Sequence, residues 1–311
     1  MVQPTPREES YHTPVMLDET VSWLANAADG WIVDGTFGGG GHSRGLLAAY
    51  DHVSILGLDR DPDAVSGAFD DERLTVVSAN YRDVRSILGQ PPYPATVDGI
   101  LLDLGVSSHQ LDVANRGFSF HASGPLDMRM GPDAQRSAAE LVNVETEDAL
   151  ARILRDYGEE RFARRIAQAI VANRPFEDTA DLASCVAEAV PAPARRAGHP
   201  ARRSFQAIRI AVNDELGGLE EFMADGPECL AVGGRLLVMA YHSLEDRIVK
   251  RSLAKRVEAC TCPPDLPICV CGADPKFKLM TRKPIKPSDS EIERNPRARS
   301  AVMRVVERVA E

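Results

Sequence analysis

Ile32 to His42, read as I-V-D-G-T-F-G-G-G-G-H, is the stretch on which the fold turns. An apolar pair ends on Asp34, runs into Gly35 and Gly38 to Gly41, and is followed by the helix-like segment S-R-G-L-L-A-A-Y. That is strand, tight turn, helix. Glycines at such a turn permit positive φ, and without a Cβ they let the backbone approach a ligand while helix-start N–H groups point outward. A flexible surface loop is the competing reading of these residues alone.

The next apolar run weighs against a loop. V-S-I-L-G-L-D-R-D reads as a second buried strand, Val53 to Leu58, closing on Asp59. A nucleotide-binding α/β unit places an acid for the ribose hydroxyls about 20 residues after its glycines. The spacing therefore implies an adenosine-containing cofactor. A dinucleotide site calls for G-x-G-x-x-G beneath a pyrophosphate, which D-G-T-F-G-G-G-G-H does not match. Asp34, at the end of the first strand, would repel a pyrophosphate but suits a cofactor carrying an ammonium and a sulfonium. S-adenosylmethionine (SAM) is that cofactor.

With 311 residues, 44% of them hydrophobic and 26% charged, the chain has material for one large domain and a smaller one. No apolar run reaches the ~18 residues of a membrane helix. The opening M-V-Q-P-T-P-R-E-E-S lacks the basic and apolar parts of a signal peptide, so the expected location is cytoplasmic, away from membranes. A formal net charge of −10 argues against broad attraction to nucleic acid. Arginines nevertheless cluster at Pro191 to Arg203, Thr281 to Lys286 and Arg294 to Arg299. Each can be a solvated face; three in one acidic chain point to an anionic macromolecular partner.

Read in order, Tyr11 to Leu24 forms a helix started by Pro14 that covers the cofactor mouth, with His12 nearby. Leu74 to Tyr81 is a third strand, and Tyr81 at its carboxyl end either flanks the adenine or packs in the core. The fourth strand, within Val97 to Leu111, ends on Asp103, which faces the transferable group; Ser107, Ser108 and Gln110 add hydrogen-bonding groups beyond it. Ser137 to about Leu216 is helical throughout, with Phe162, Ile166 and Ile170 on one buried stripe. This defines an inserted helical substrate-recognition domain, 115–216, between the halves of a cofactor-binding domain, 1–114 and 217–311. Its arginines Arg195, Arg196, Arg202 and Arg203 are placed to hold a phosphate backbone. The fifth strand, Arg235 to Ala240, leads to Tyr241-His242-Ser243, where Ser243 caps a helix with Asp246 as its box partner. His242 and Asp246 are also catalytic candidates. The tail closes the sheet as an antiparallel strand. Cys185 and Cys229 lie in apolar surroundings; Cys260, Cys262, Cys269 and Cys271 form two C-x-C pairs that could hold zinc or remain reduced thiols.

D-G-T-F-G-G-G-G-H-S, D-R-D-P, L-L-D-L-G-V-S-S, R-G-F-S-F with G-P-L-D-M-R-M, Y-G-E-E-R-F-A-R-R-I-A, H-S-L-E-D-R-I-V-K-R and N-P-R-A-R-S-A-V-M-R together resemble the bacterial RsmH family, also called MraW. The resemblance runs from about Tyr11 to the C-terminus. It implies an α/β fold, a Rossmann-like class I SAM-dependent methyltransferase sheet with an all-helical insert. It also implies an enzyme that methylates the N4 amine of a cytidine in the decoding region of 16S rRNA in the small ribosomal subunit. By the same resemblance Gly40, Gly41, His42, Asp59, Tyr81, Asp103 and Gln110 fall on SAM-binding positions, joining Asp34 and Gly38. Tyr81 stands where other members can carry Phe, and the cysteine loop is not shared by all members. Amino-group methyltransferases of other families often place (Asn/Asp)-Pro-Pro-aromatic after the fourth strand; here D-L-G-V-S-S stands there, so their carbonyl-acceptor account of N4 activation does not transfer. Asp103 is the first candidate acceptor near that nitrogen or the SAM amino group, with His242 or Asp246 next. The alternatives are a nicotinamide-dependent oxidoreductase, disfavoured by the glycine pattern, and a non-catalytic SAM-binding ribosome-assembly or nucleic-acid-binding factor. The oligomeric state is left open, a homodimer among the options.

Overall fold

The computed structural model describes residues 14–197, 199–257 and 275–311. Cys260, Cys262, Cys269 and Cys271, and the first turn around His12, lie outside the described residues, as do the side chains of Ser108 and Arg196. The chain divides into two compact units, 1–105 with 218–311 and, inserted between those halves, 106–217.

The first unit is built on seven strands: β1 (Trp31–Asp34), β2 (Ser54–Asp59), β3 (Leu74–Ser78), β4 (Val97–Asp103), β5 (Leu230–Ala240), β6 (Phe277–Leu279) and β7 (Val302–Arg308). Their order in the sheet is β3-β2-β1-β4-β5-β7-β6. β1 to β5 run parallel, and β7 is antiparallel to both β5 and β6. Near-continuous apolar strands are what a parallel sheet covered on both faces requires. The side-chain alternation assigns the faces. Val33, Leu56, Leu58, Ile100, Leu102, Leu236 and Val238 point into one core with Phe222 and Val249. Ile32, Ile55, Leu101, Leu237 and Met239 point into the opposite one with Leu24 and Leu46. Each such fully buried side chain contributes about 1.5–3 kcal/mol.

The strand order reverses between β1 and β4. Asp34 is in register with Gly57 of β2 and Leu101 of β4, Asp59 with Ser78, and Asp103 with Met239. In open α/β sheets the crevice for a ligand opens at the carboxyl ends beside this switch point. The sequence pattern thus puts Asp34, Asp59 and Asp103 at the ends of three strands around it.

Several boundaries differ from the sequence pattern. β3 stops at Ser78 because Asn80 turns the chain, its side chain accepting from the Arg82 N–H at 3.2 Å to open a short turn over Tyr81–Asp83. β5 starts earlier, at Leu230, with a register shift against β4 where Gly233 adopts a positive φ of 86°. β6 is three residues long, too short to leave a periodic signal. The N-terminal helix is confined to Leu17–Trp23, and Met16 ahead of it is left-handed.

In the inserted unit the helices Ala138–Val144, Glu147–Gly158, Ala163–Ala172, Thr179–Ala189 and Arg202–Asn213 enclose their own core. Helix Ala163–Ala172 buries Ala163, Ile166, Ala167 and Ile170, the i, i+3, i+4, i+7 stripe of an amphipathic helix. Phe162 stands just before that helix and is only half-buried. The unit begins at Val106 rather than near residue 115 because Val106, Leu111 and Phe118 pack on this helical core. The loop beyond them is tied in by Asn213, whose Nδ2 donates to the Met128 carbonyl at 2.7 Å and whose Oδ1 accepts from the Met130 N–H at 2.8 Å. No described helix is long and apolar enough to cross a membrane.

Candidate active site

The turn after β1 is held from both sides. Gly35 N–H donates to the Leu101 carbonyl, Phe37 N–H to the Leu58 carbonyl, and Gly38 N–H to Asp59 Oδ2 at 2.7 Å. Gly40, just before the helix Gly41–Ala49, has φ of 71°, and a Cβ there would lie 2.7 Å from the Phe37 ring and 2.9 Å from Phe69. Both the backbone angle and the close approach require glycine at this position.

One buried carboxylate, Asp34, and two half-buried ones, Asp59 and Asp103, stand at the strand ends. Asp34 is 1% exposed; its Oδ2 accepts from Ser43 Oγ at 2.7 Å, and burial pushes its carboxyl up, opposed by the nearby His42 and the Ser43 hydrogen bond. Asp59 accepts from the Asp61 N–H at 2.8 Å as well as from Gly38, yet desolvation outweighs both bonds and lifts its carboxyl to about 6, with Asp61 and Asp34 adding like-charge repulsion. Asp103 accepts the Tyr241 hydroxyl on Oδ1 at 2.6 Å, and its own N–H donates to Thr36 Oγ1 at 2.6 Å. Burial raises its pKa, His42 and Tyr241 oppose the rise, and Asp34 and Glu245 add to it. The Tyr241 phenol is driven well above its usual value by burial and by the Asp103 charge beside it.

His42 completes this set. Its Nε2 lies 2.9 Å from the Val15 carbonyl, an acceptor only, so Nε2 carries a proton; Nδ1 then faces Asp103 Oδ2 at 3.8 Å. The net result is an imbalance of negative charge at these strand ends, Asp34 repelling both Asp59 and Asp103. A ligand bearing positive charge and hydroxyl donors relieves that imbalance; a pyrophosphate worsens it. Among the described residues no cluster of metal-ligating side chains is present.

The end of β5 departs from the capping expected there. His242, not Ser243, caps the helix Ser243–Arg256: its Nδ1 accepts from the Glu245 N–H, and the Glu245 carboxylate accepts from the N–H groups of Tyr241 at 2.8 Å and His242 at 3.2 Å. The capping box is one residue earlier than the Ser243–Asp246 pattern because an imidazole nitrogen serves as the cap acceptor. His242 Nε2 is buried without a hydrogen bond, 3.2 Å from Glu245 Oε1. Asp246 instead meets Arg304 of β7 in a two-pronged ion pair at 2.7 and 3.0 Å. Tyr81 is half-buried, its ring standing edge-on to Phe222 at 5.7 Å.

The remaining candidates belong to the helical unit. Gln110 is 6% exposed and shares a capping box with Ser107, Ser107 N–H donating to Gln110 Oε1 at 3.1 Å and Gln110 N–H to Ser107 Oγ at 3.2 Å. Arg195 donates to the Val190 and Glu188 carbonyls, closing the end of helix Thr179–Ala189. Arg203 donates to the Glu159 carbonyl at 3.1 Å, and Arg202 is exposed. Thr36, Ser43, Tyr241 and Glu245 are site residues that sequence reasoning did not single out. Tyr241 sits beside the chosen His242, but only strand pairing shows that its hydroxyl reaches Asp103 across β4 and β5.

A parallel sheet of this order, closed by an antiparallel strand and carrying an acid at the tip of each of β1, β2 and β4, defines a class I SAM-dependent methyltransferase. More narrowly, the family model described as the MraW methylase family matches residues 9–309, and the chain belongs to that family. It is 49% identical over 310 residues to ribosomal RNA small subunit methyltransferase H of Heliobacterium modesticaldum, covering 96% of this chain and 99% of that one. It is also 49% identical to the protein of the same description from Carboxydothermus hydrogenoformans, over 97% of this chain and 99% of the relative. Among solved structures, a rRNA methylase from Streptococcus thermophilus aligns over 96% of this chain and 99% of its own at 10% identity and a TM-score of 0.39.

Proposed function

We propose that the protein methylates the N4 amine of a cytidine in the decoding region of 16S rRNA, acting on the small ribosomal subunit in the cytoplasm. The substrate class follows from the descriptions of its relatives, and the observation that carries the chemistry is Asp103, half-buried at the tip of β4 between Tyr241 and His42. When bound, SAM supplies a methyl group on a positively charged sulfur.

Asp34, Gly38, Gly40, Gly41, His42 and Asp59 are the residues assigned to hold it. Asp59 accepts from the ribose hydroxyls, the turn glycines let the backbone close on the amino-acid end, Tyr81 borders the adenine, and Gln110 is carried over from the family resemblance. The unbalanced carboxylates are what a cationic cofactor stabilises. A cytosine amine is a poor nucleophile because its lone pair is shared with the ring. Asp103 Oδ2, its neighbour Oδ1 already occupied by Tyr241, accepts an amine N–H and localises that pair. The same oxygen is the first place for the proton that the methylated amine must lose, its pKa being raised by burial. The Tyr241 hydroxyl holds the carboxylate in place; His242, whose Nδ1 accepts from the Glu245 N–H and whose Nε2 therefore carries the ring proton, offers the amine no acceptor nitrogen. Holding two substrates in near-attack geometry accounts for up to ~7–11 kcal/mol of the barrier. The helical unit binds the RNA through Arg202 and Arg203, with Arg195, Arg196, Ser107 and Ser108 assigned beside them. It also offsets the few kcal/mol needed to unstack the target base.

Incubating the protein with methyl-tritiated SAM and small subunits lacking the modification, then digesting the RNA to nucleosides, tests this reading. Label in N4-methylcytidine supports it. Label in any other nucleoside, or none, refutes it.

A further inference from the structure

Two stretches singled out in the sequence, R-G-F-S-F-H at 116–121 and the arginine segment at 191–203, meet at one point of the helical unit. The Phe120 and His199 rings stack with centroids 4.6 Å apart and planes 23° from parallel. His121 joins at 4.3 Å from Phe120, and Phe205, 3% exposed, supports Phe120 edge-on at 5.7 Å. His121 and His199 are exposed while Phe120 is half-buried, so this is an aromatic cluster packed on the core by one ring and open at the surface by two. The orientation of His199 is fixed, its Nδ1 accepting from the Ala201 N–H at 3.3 Å. Partial burial and the neighbouring His121 lower its pKa, which keeps the imidazole an uncharged flat ring at neutral pH. The surroundings are cationic: from Pro191 to Phe205 there are four arginines and no acidic residue, in a chain of net charge −10. The exposed Arg202 stands three residues beyond His199, its N–H donating to the His199 carbonyl.

We propose that the His199–Phe120 stack is a platform for an unpaired nucleobase of the RNA substrate, distinct from the base that is methylated, with the adjoining arginines on its phosphates. Fixed aromatic rings beside basic side chains are the combination by which proteins grip single-stranded RNA without reading its sequence. The rings already lie against one another in the chain, so the stack need not be assembled on binding. This inference rests on the proposed rRNA substrate.

Steady-state methyl transfer to small subunits lacking the modification tests it, in His199→Ala, Phe120→Leu and the ring-restoring His199→Phe. Phe120→Leu retains an apolar side chain against Phe205, and His199 is exposed, so folding can be checked by thermal denaturation alongside. The expected result is a KM for subunits raised about 5- to 150-fold in His199→Ala, the value of one base–aromatic stack. In that variant kcat and the calorimetric Kd for SAM stay unchanged, and His199→Phe recovers the wild-type KM. An unchanged KM in His199→Ala and Phe120→Leu, or a loss that His199→Phe does not recover, overturns the platform while leaving the substrate assignment standing. Failure of the wild-type protein to methylate the subunit removes the substrate assignment and the platform with it.

Discussion

In the sheet unit the informative charges are the strand-end carboxylates Asp34, Asp59 and Asp103, each with its pKa raised by desolvation. In the helical unit they are arginines on a segment free of acids. The first arrangement is unfavourable in isolation and becomes favourable around a cation that brings its own hydrogen-bond donors. The second is well solvated alone and gains by releasing counterions from a polyanion. An acidic chain can thus serve a nucleic acid through a local segment free of acids. Net charge alone therefore misdirects; the local placement of charge within each unit is what decides.

The largest expected effect tests the acidic side. Asp103→Asn keeps the shape and the Tyr241 neighbour but removes the charge, and kcat for methyl transfer should fall by about 100-fold or more. A kcat close to wild type would remove Asp103 from the chemistry. On the basic side, Arg202→Ala with Arg203→Ala should weaken binding to the small subunit and flatten the dependence of log K on log salt by about one for each phosphate that is no longer neutralised. The Kd for SAM should be unmoved. Weaker affinity at an unchanged salt slope would mean that these arginines support the fold instead of the RNA.

A smaller effect appears in pH dependence. Asp59 ionises at about 6 in the folded chain against an ordinary value of 3.8. Between those values the folded state binds more proton than the unfolded state, so this group lowers stability as pH rises. The Tm of the unliganded protein relative to Asp59→Asn should therefore fall from about pH 4 to about pH 6 and level off above. A difference that is flat or rises with pH would contradict the buried environment. The smallest effect belongs to Asp246: its pair with Arg304 predicts that Asp246→Ala costs about 1 kcal/mol of stability, read by chemical denaturation, with kcat unchanged. A drop in kcat without a drop in stability would restore it as a catalytic candidate.

Much of this is legible in the sequence, because a covered parallel strand announces itself by a continuous apolar run and its end by an acid. Ile32 to Asp34, Val53 to Asp59 and Val97 to Asp103 all carry that signature. What stays hidden depends on pairings between distant residues. Nothing local in A-Y-H-S-L-E-D shows that Tyr241 bonds to Asp103, or that Glu245 and not Asp246 closes the helix cap, since both acids fit near the first turn. The helical unit starts earlier than its sequence pattern suggests because Val106 and Leu111 read as loop residues until their packing partners are known. Phe120 and His199, far apart in the chain, carry no periodic signal connecting them.

Calorimetric titration of SAM into Asp59→Asn tests the central claim most directly, namely that the carboxylates at the strand ends hold the cofactor and the helical unit holds the RNA. The substitution removes the charge behind a charge-assisted hydrogen bond, a loss of about 10- to 100-fold in affinity. The account predicts that loss for SAM, with subunit binding retained. Undiminished SAM affinity, or an equal loss for both ligands, would contradict it.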